Sequence, residues 1–113
     1  MIIDWTKITF EPYDRDNLIV PGLDWYMITY DRQTGKGTYL LRYDQCTKTP
    51  AHTHMVSEEF IILSGTLYDS CGDNYREKDV VRFELNTTHY TYTKKETCIV
   101  FVISGGENRI AKL

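Results

Sequence analysis

Histidine is scarce in this chain. It occurs three times in 113 residues, and two of the three stand one residue apart in the stretch PAHTHMVSEEFIILSG, residues 50–65. Side chains alternate along a strand, so His52 and His54 share one face while Thr53 points away. Glu58 lies an even number of residues further on; it shares that face if the strand continues, or reaches it across a bend at Met55–Ser57. His89, the third histidine, follows Glu58 by 31 residues, after a turn signal and a further strand. That separation lets the chain leave along one strand, turn and return beside the site. Three imidazoles and a carboxylate form a nitrogen and oxygen donor set suited to iron(II), manganese, nickel, cobalt, zinc or copper, with no thiolate for a structural zinc site. Four protein ligands leave up to two octahedral positions open, as chemistry at a metal requires. An isolated His-x-His is most often two solvated side chains; the gathering of every histidine of the chain with a carboxylate favours the metal reading. Glu58 and Glu59 point to opposite faces, so parity selects Glu58 and assigns Glu59 to solvent or an interface.

The elements that must position these residues are strands. Segments 25–31 (WYMITYD), 38–44 (TYLLRYD), 51–56, 58–70, 80–85 (VVRFEL), 89–93 (HYTYT) and 97–104 (TCIVFVIS) are rich in aromatic and β-branched residues. Turn signals separate them at DRQTGKG (31–37) and CGDN (71–74). Short strands at this spacing, without a helical period, predict an all-β sandwich or barrel. Residues 23–104 form its core, and residues 1–22, with Pro12 and Pro21, an extended arm or edge strands. FIILSG and CIVFVI are apolar on both faces, so the outer face needs cover. A second sheet with the N-terminal arm, or a partner subunit, would supply it; a homodimer is expected. Parity also names pocket candidates. Phe60 and Ile62 share the face of Glu58, Phe83 faces inward if Arg82 faces out, and Tyr39, Leu41 and Tyr43 form one face of their strand. Thr91 shares the face of His89 and is placed to hydrogen-bond a ligand. Each is also an ordinary core residue in kind.

Other functions are disfavoured by composition. One domain fits 113 residues. A net charge of −3 without a basic stripe argues against nucleic acid. No apolar run approaches the roughly 18 residues that cross a bilayer. The opening MIIDWTKITF lacks the basic and apolar regions of a secretory signal, and a cytoplasmic location is expected. Cys46, Cys71 and Cys98 are widely spaced with no CxxC, which excludes a zinc ribbon or thioredoxin motif and predicts reduced thiols.

HTHMVSEEFIILSG resembles the first motif of the cupin superfamily: HxH, three or four residues, Glu, six residues, Gly. Here three residues separate His54 from Glu58, and six separate Glu58 from Gly65. The second motif, G-x5-P-x-G-x2-H, survives as spacing in KDVVRFELNTTH. Lys78 stands at the first glycine, Glu84 at the proline, Asn86 at the second glycine, and His89 at the ligand. Asparagine tolerates a left-handed turn better than most residues. Over residues 20–103 the order TGKGTYLLRYD, TPAHTH, EEF and GDNY is similar to the cupin domain of ChrR-type anti-sigma factors and to acetylacetone-dioxygenase-like proteins. The resemblance implies a small single-domain cupin, an all-β double-stranded β-barrel of jelly-roll type, often dimeric, with a metal inside one end. Carried over, the ligands are His52, His54, Glu58 and His89. One divalent first-row transition metal is implied, Fe2+ or Zn2+ foremost, with Ni2+, Mn2+, Co2+ and Cu2+ admissible. Dioxygenases of this type use three histidines without the glutamate. The anti-sigma factors carry a separate sigma-contacting domain before the cupin, and about twenty residues precede the barrel here, so that role is not expected. Two functions follow: a mononuclear non-haem, dioxygenase-like enzyme acting on a small molecule, or a non-catalytic metal-binding cupin that senses a small molecule or oxidant. A sugar isomerase is a weaker third, because no additional acid–base pair stands out.

Overall fold

The computed structural model describes residues 1–107 and the backbone of 109–110. It is all-β. In chain order the strands are β1 (Glu11–Pro12), β2 (Leu23–Met27), β3 (Lys36–Tyr43), β4 (His52–Thr53), β5 (Glu58–Ser64), β6 (Leu67–Asp69), β7 (Asn74–Tyr75), β8 (Val80–Arg82), β9 (Thr88–His89), β10 (Thr91–Tyr92), β11 (Cys98–Gly105) and β12 (Arg109–Ile110). A single 3₁₀ turn, Arg15–Asn17, is the only helical element among the described residues. No described helix is long and apolar enough to cross a membrane. A six-stranded antiparallel sheet in the order β1-β2-β3-β11-β5-β8 forms one wall, and the short sheets β10-β6-β7 and β12-β4-β9 complete a small cupin barrel.

Alternation along the long strands builds the interior. Tyr39, Leu41 and Tyr43 of β3, Leu23 and Trp25 of β2, Phe60 and Ile62 of β5, and Val100 and Val102 of β11 are all buried in one core cluster. Registers Tyr43↔Leu23, Leu41↔Trp25 and Val100↔Ile62 put these side chains on a common face, where cross-strand neighbours touch. The outer face carries Arg42, whose guanidinium lies 5.1 Å over the ring of Phe10. The N-terminal arm therefore supplies part of the expected cover.

Several strands differ from the sequence expectation in extent. The segment expected at 51–56 is confined to His52–Thr53, and the one expected at 58–70 divides after Ser64 into β5 and β6, which belong to different sheets. The segment expected at 25–31 stops at Met27, because Ile28 and Thr29 both donate to the carbonyl of Thr38, a bulge that ends regular pairing. The segment expected at 80–85 stops at Arg82, where the chain turns through Glu84–Thr87, with the Thr87 hydroxyl donating to the Glu84 carbonyl. The segment expected at 89–93 divides at Tyr90. Thr88–His89 pairs with β4 and Thr91–Tyr92 with β6, so the chain changes sheets there.

Backbone geometry explains how the second motif survives without its glycines. Lys78 and Asn86 adopt φ of 74° and 66°, the left-handed conformation that glycine accepts at no steric cost. Lys78 N–H donates to the Ile62 carbonyl at 2.9 Å and Asn86 N–H to the His54 carbonyl at 2.7 Å, so the surrounding sheets hold both turns. Gly65 has no such latitude. Its φ is +81°, and a Cβ there would lie 2.2 Å from the Thr97 carbonyl oxygen. Lys78 is exposed, so Lys78→Gly relieves a left-handed strain of about 1–2 kcal/mol, less the larger unfolded-state entropy of glycine, about 0.5–1 kcal/mol. The expected net gain is about 0.5–1 kcal/mol, read as a higher urea midpoint at unchanged slope.

Candidate metal centre

The pairing of β4 with β9 sets His52 directly opposite His89, so the two side chains emerge on the same face. His54, two residues beyond His52, joins them. Its backbone is pinned by His54 N–H to the Thr87 carbonyl, besides the bond it receives from Asn86. The Nε2 atom of His54 lies 3.1 Å from that of His52 and 2.5 Å from that of His89, and one ligating atom from each residue lies within 4.8 Å of the others. Phe83 packs against His54 and His89 with ring centroids 4.4 and 4.3 Å away.

The ring tautomers follow from the partners. His52 Nδ1 is 3.0 Å from the Pro50 carbonyl, which can only accept, so Nδ1 carries the proton and Nε2 presents a lone pair. His89 Nδ1 donates to Asp69 Oδ2 at 2.7 Å, with the same consequence. Asp69 also accepts from the Tyr75 hydroxyl at 2.7 Å and the Cys71 N–H at 3.1 Å. A proton on His54 Nε2 could bridge to only one neighbour, whereas a cation accepts all three lone pairs. His54 Nδ1 is buried without a hydrogen-bond partner among the described residues. Burial, then the neighbouring imidazoles, push His54 down to about 3. Burial also lowers His89, although Asp69 opposes the shift. Both rings are neutral near pH 7, as ligation demands. The residues present fit a divalent first-row ion, and the three histidines are positioned to bind one.

Beside the histidines lies a cavity of about 90 Å³. Tyr39, Leu41, Tyr43, Phe60, Phe83 and Thr91, the sequence candidates, lie on its wall. Ile62 does not; it is 1% exposed within the core. The hydroxyl of Thr91 pairs with that of Tyr43 at 2.7 Å, and burial pushes Tyr39 and Tyr43 up, keeping both neutral. Glu58 faces this cavity, its side chain 12% exposed, with Oε2 3.7 Å from Nη1 of Arg15. Glu59 is exposed. The tightly gathered donor set is thus the three imidazoles, and Glu58 stands at the shared cavity facing Arg15.

Two residues escaped sequence reading. Asp69 shares the inward parity of Leu67, and a carboxylate at a core-facing position just before a turn was the available signal. Arg15 sits in an irregular turn with left-handed Asp16 and Asn17, where no periodicity applies.

The barrel and its histidine cluster define the class, a cupin with a metal-type site. The sequence profile of the ChrR cupin-like domain family matches residues 2–106, and the chain belongs to that family. Among solved structures, polyketide cyclase RemF from Streptomyces resistomycificus superposes with a TM-score of 0.74 at 15% identity, covering 100% of this chain and 86% of that one. An acetylacetone dioxygenase from Acinetobacter johnsonii gives 0.74 at 13%, covering 99% and 80%. The Rhodobacter sphaeroides complex of SigE with the anti-sigma ChrR gives 0.68 at 15%, covering 89% of this chain and 50% of the matched one. At such identities the likeness carries the fold alone. No curated protein matches the chain by sequence.

Two outcomes are expected. Asp69→Asn keeps an acceptor but removes the charge that orients and enriches His89; metal affinity should fall about 10–100-fold, measured by zinc titration. In metal-free protein the depressed values of His54 and His89 mean that the unfolded chain takes up protons first. Their stability contribution is full above about pH 6.5, the ordinary histidine value, and is lost as pH falls below it, that of His54 down to about 3. Melting temperatures between pH 7 and pH 4 should decline in wild type and decline less in His54→Gln.

Proposed function

We propose that this chain is a mononuclear metal-binding cupin that acts on a small molecule in dioxygenase-like fashion. The observation that carries the reading is the convergence of three Nε2 lone pairs beside a buried, largely apolar cavity. His52, His54 and His89 hold the ion, and Glu58 is the proposed fourth ligand. Bound there, a divalent first-row ion, Fe2+ or Zn2+ foremost, supplies Lewis acidity and, as iron, redox capacity. The chain supplies the rest. Phe83 shields two of the imidazoles from water, and Leu41 and Phe60 give the substrate an apolar wall. Tyr39, Tyr43 and Thr91 offer neutral hydroxyls. A cavity of about 90 Å³ is well below the roughly 300–1,000 Å³ of sites for drug-sized molecules, so the ligand is small.

The alternative is a non-catalytic metal-binding cupin that senses a small molecule or oxidant. Family membership and the likeness to the SigE–ChrR complex favour it. A second copy of the chain is the proposed protein partner, supported by exposed Val80 and Ile103 on the outer face of the large sheet. Neither nucleic acid nor membrane is proposed as a partner. A cytoplasmic setting agrees with three free thiols.

Oxygen uptake by iron(II)-loaded protein with small β-diketones separates the two readings. Consumption that matches diketone loss is expected; none, with metal retained, leaves the sensor. In the same preparations Glu58→Gln should bind metal about tenfold or more weakly, because an anionic ligand outweighs an amide, while Glu59→Gln should match wild type. Equal metal content in both variants would reduce the site to a three-histidine centre.

A further inference from the structure

One hydroxyl on the cavity wall is unclaimed. Tyr39 accepts from Nη1 of Arg15 at 3.1 Å. Tyr43 and Thr91 pair at 2.7 Å, and the Thr49 hydroxyl accepts from the Thr91 N–H at 3.0 Å. Tyr13 lines the same cavity, yet its hydroxyl has no hydrogen-bond partner among the described residues. Arg15 Nε and His54 Nδ1 also lack partners, but those atoms are sealed from any occupant. The Tyr13 oxygen is not sealed, and the residue as a whole is half-buried. Its surroundings set it inside the barrel. Burial pushes the phenol up, and the charges of Arg15 and Glu58 act on it. Tyr39 and Tyr43 feel it in turn. The hydroxyl therefore faces the cavity, where water or a ligand oxygen must meet it.

The ring that carries this hydroxyl is fixed. Tyr13 N–H donates to the Leu23 carbonyl at 3.0 Å, which ties the residue after β1 to the start of β2. The ring meets Trp25 edge-on, with centroids 4.8 Å apart. A donor held this way needs little further ordering when a ligand accepts from it. The charges of the cavity say what kind of ligand that is. Arg15 faces Glu58 at 3.7 Å, Asp16 lines the same cavity, and Asp69 stands behind His89. A divalent ion on the histidines, together with Arg15, carries as much positive charge as Glu58, Asp16 and Asp69 carry negative. The loaded site has no excess for a charged ligand to neutralise, and burying an unpaired charge is costly. Leu41, Phe60 and Val102 on the wall receive apolar groups.

Building on the reading of this cavity as the ligand site, we infer that Tyr13 is a specificity-determining residue, its O–H donating to an oxygen of the ligand, and that this ligand is a small uncharged molecule with a carbonyl oxygen and an apolar remainder. The other wall hydroxyls are spent on one another or on Arg15. Tyr13 alone among them is free to choose an oxygen acceptor over a hydrocarbon of the same shape.

Solution NMR titration with acetone and with isobutene, its isostere with a methylene in place of the carbonyl oxygen, tests this on the full chain, zinc-loaded and metal-free. Tyr13→Phe keeps the ring and removes the donor. It should weaken acetone binding about two- to tenfold, the worth of a neutral hydrogen bond, and leave isobutene binding unchanged. Acetate, an anion of the same size, should bind metal-free wild type more weakly than acetone. Acetone affinity undiminished in folded Tyr13→Phe overturns the inference. So does an equal loss for isobutene, which would trace to ring packing rather than to the O–H, and so does tighter binding of acetate. Should Tyr13→Phe fail to fold, the infrared carbonyl band of acetone bound to metal-free wild type decides. A band below its position in hydrocarbon solvent is expected; one at that position overturns the inference. Failure of both acetone and isobutene to bind wild type overturns the ligand-site reading and this inference with it. Failure of zinc to bind overturns the metal reading alone, and the metal-free titrations still judge Tyr13.

Discussion

Everything at the site depends on one cross-strand pair. His52 and His89 lie opposite each other across β4 and β9, and both strands are only two residues long. Strands so short hold little register by themselves. The flanking hydrogen bonds supply it, from His54 N–H to the Thr87 carbonyl and from Asn86 N–H to the His54 carbonyl. The left-handed turn at Asn86 is what permits the second of these. A slip of one residue in this ladder would turn the imidazoles of one strand away from that of the other, and the convergence of three lone pairs would be lost.

The partners behind the rings complete the arrangement. The Pro50 carbonyl and the Asp69 carboxylate each hold a proton on Nδ1 and free Nε2 for ligation. Asp69 is itself oriented by Tyr75 and by the Cys71 N–H at the hairpin between β6 and β7. The turn at residues 71–74 thus reaches the site through two hydrogen bonds. Phe83 closes the same rings from the apolar side. Polar support on one flank and a dry aromatic wall on the other suit a site that must keep its histidines neutral and limit access of water.

The cavity has a second organising charge. Arg15 ties the N-terminal segment to the far end of β11 through Ser104 and Gly106, and to β3 through Tyr39. Burying a guanidinium so fully is costly unless its hydrogen bonds are made. The residues that receive it therefore fix the turn at Arg15–Asn17 as firmly as apolar packing would.

Much of the fold was legible in the chain because the signals are local. Alternation fixes which of Tyr39, Leu41, Tyr43, Phe60 and Phe83 look inward, turn residues mark where strands end, and the spacing of His52, His54 and His89 survives even where Lys78 and Asn86 replace glycines. The backbone is left-handed at both positions, held there by surrounding hydrogen bonds that outweigh the preference of either residue. What alternation could not supply was anything that depends on chain paths meeting. Ile62 has the parity of Phe60 yet lies away from the cavity, in the packed core beside Val100 of β11. Asp69 became the support of His89 only when β6 and β10 paired and the chain changed sheets at Tyr90. Arg15 belongs to an irregular turn, where no period says which way a side chain points, and only the closing of the N-terminal segment over the barrel carried its charge inside. Local sequence determines the face of a residue along its own strand; tertiary packing decides which faces meet and which buried charges must find each other.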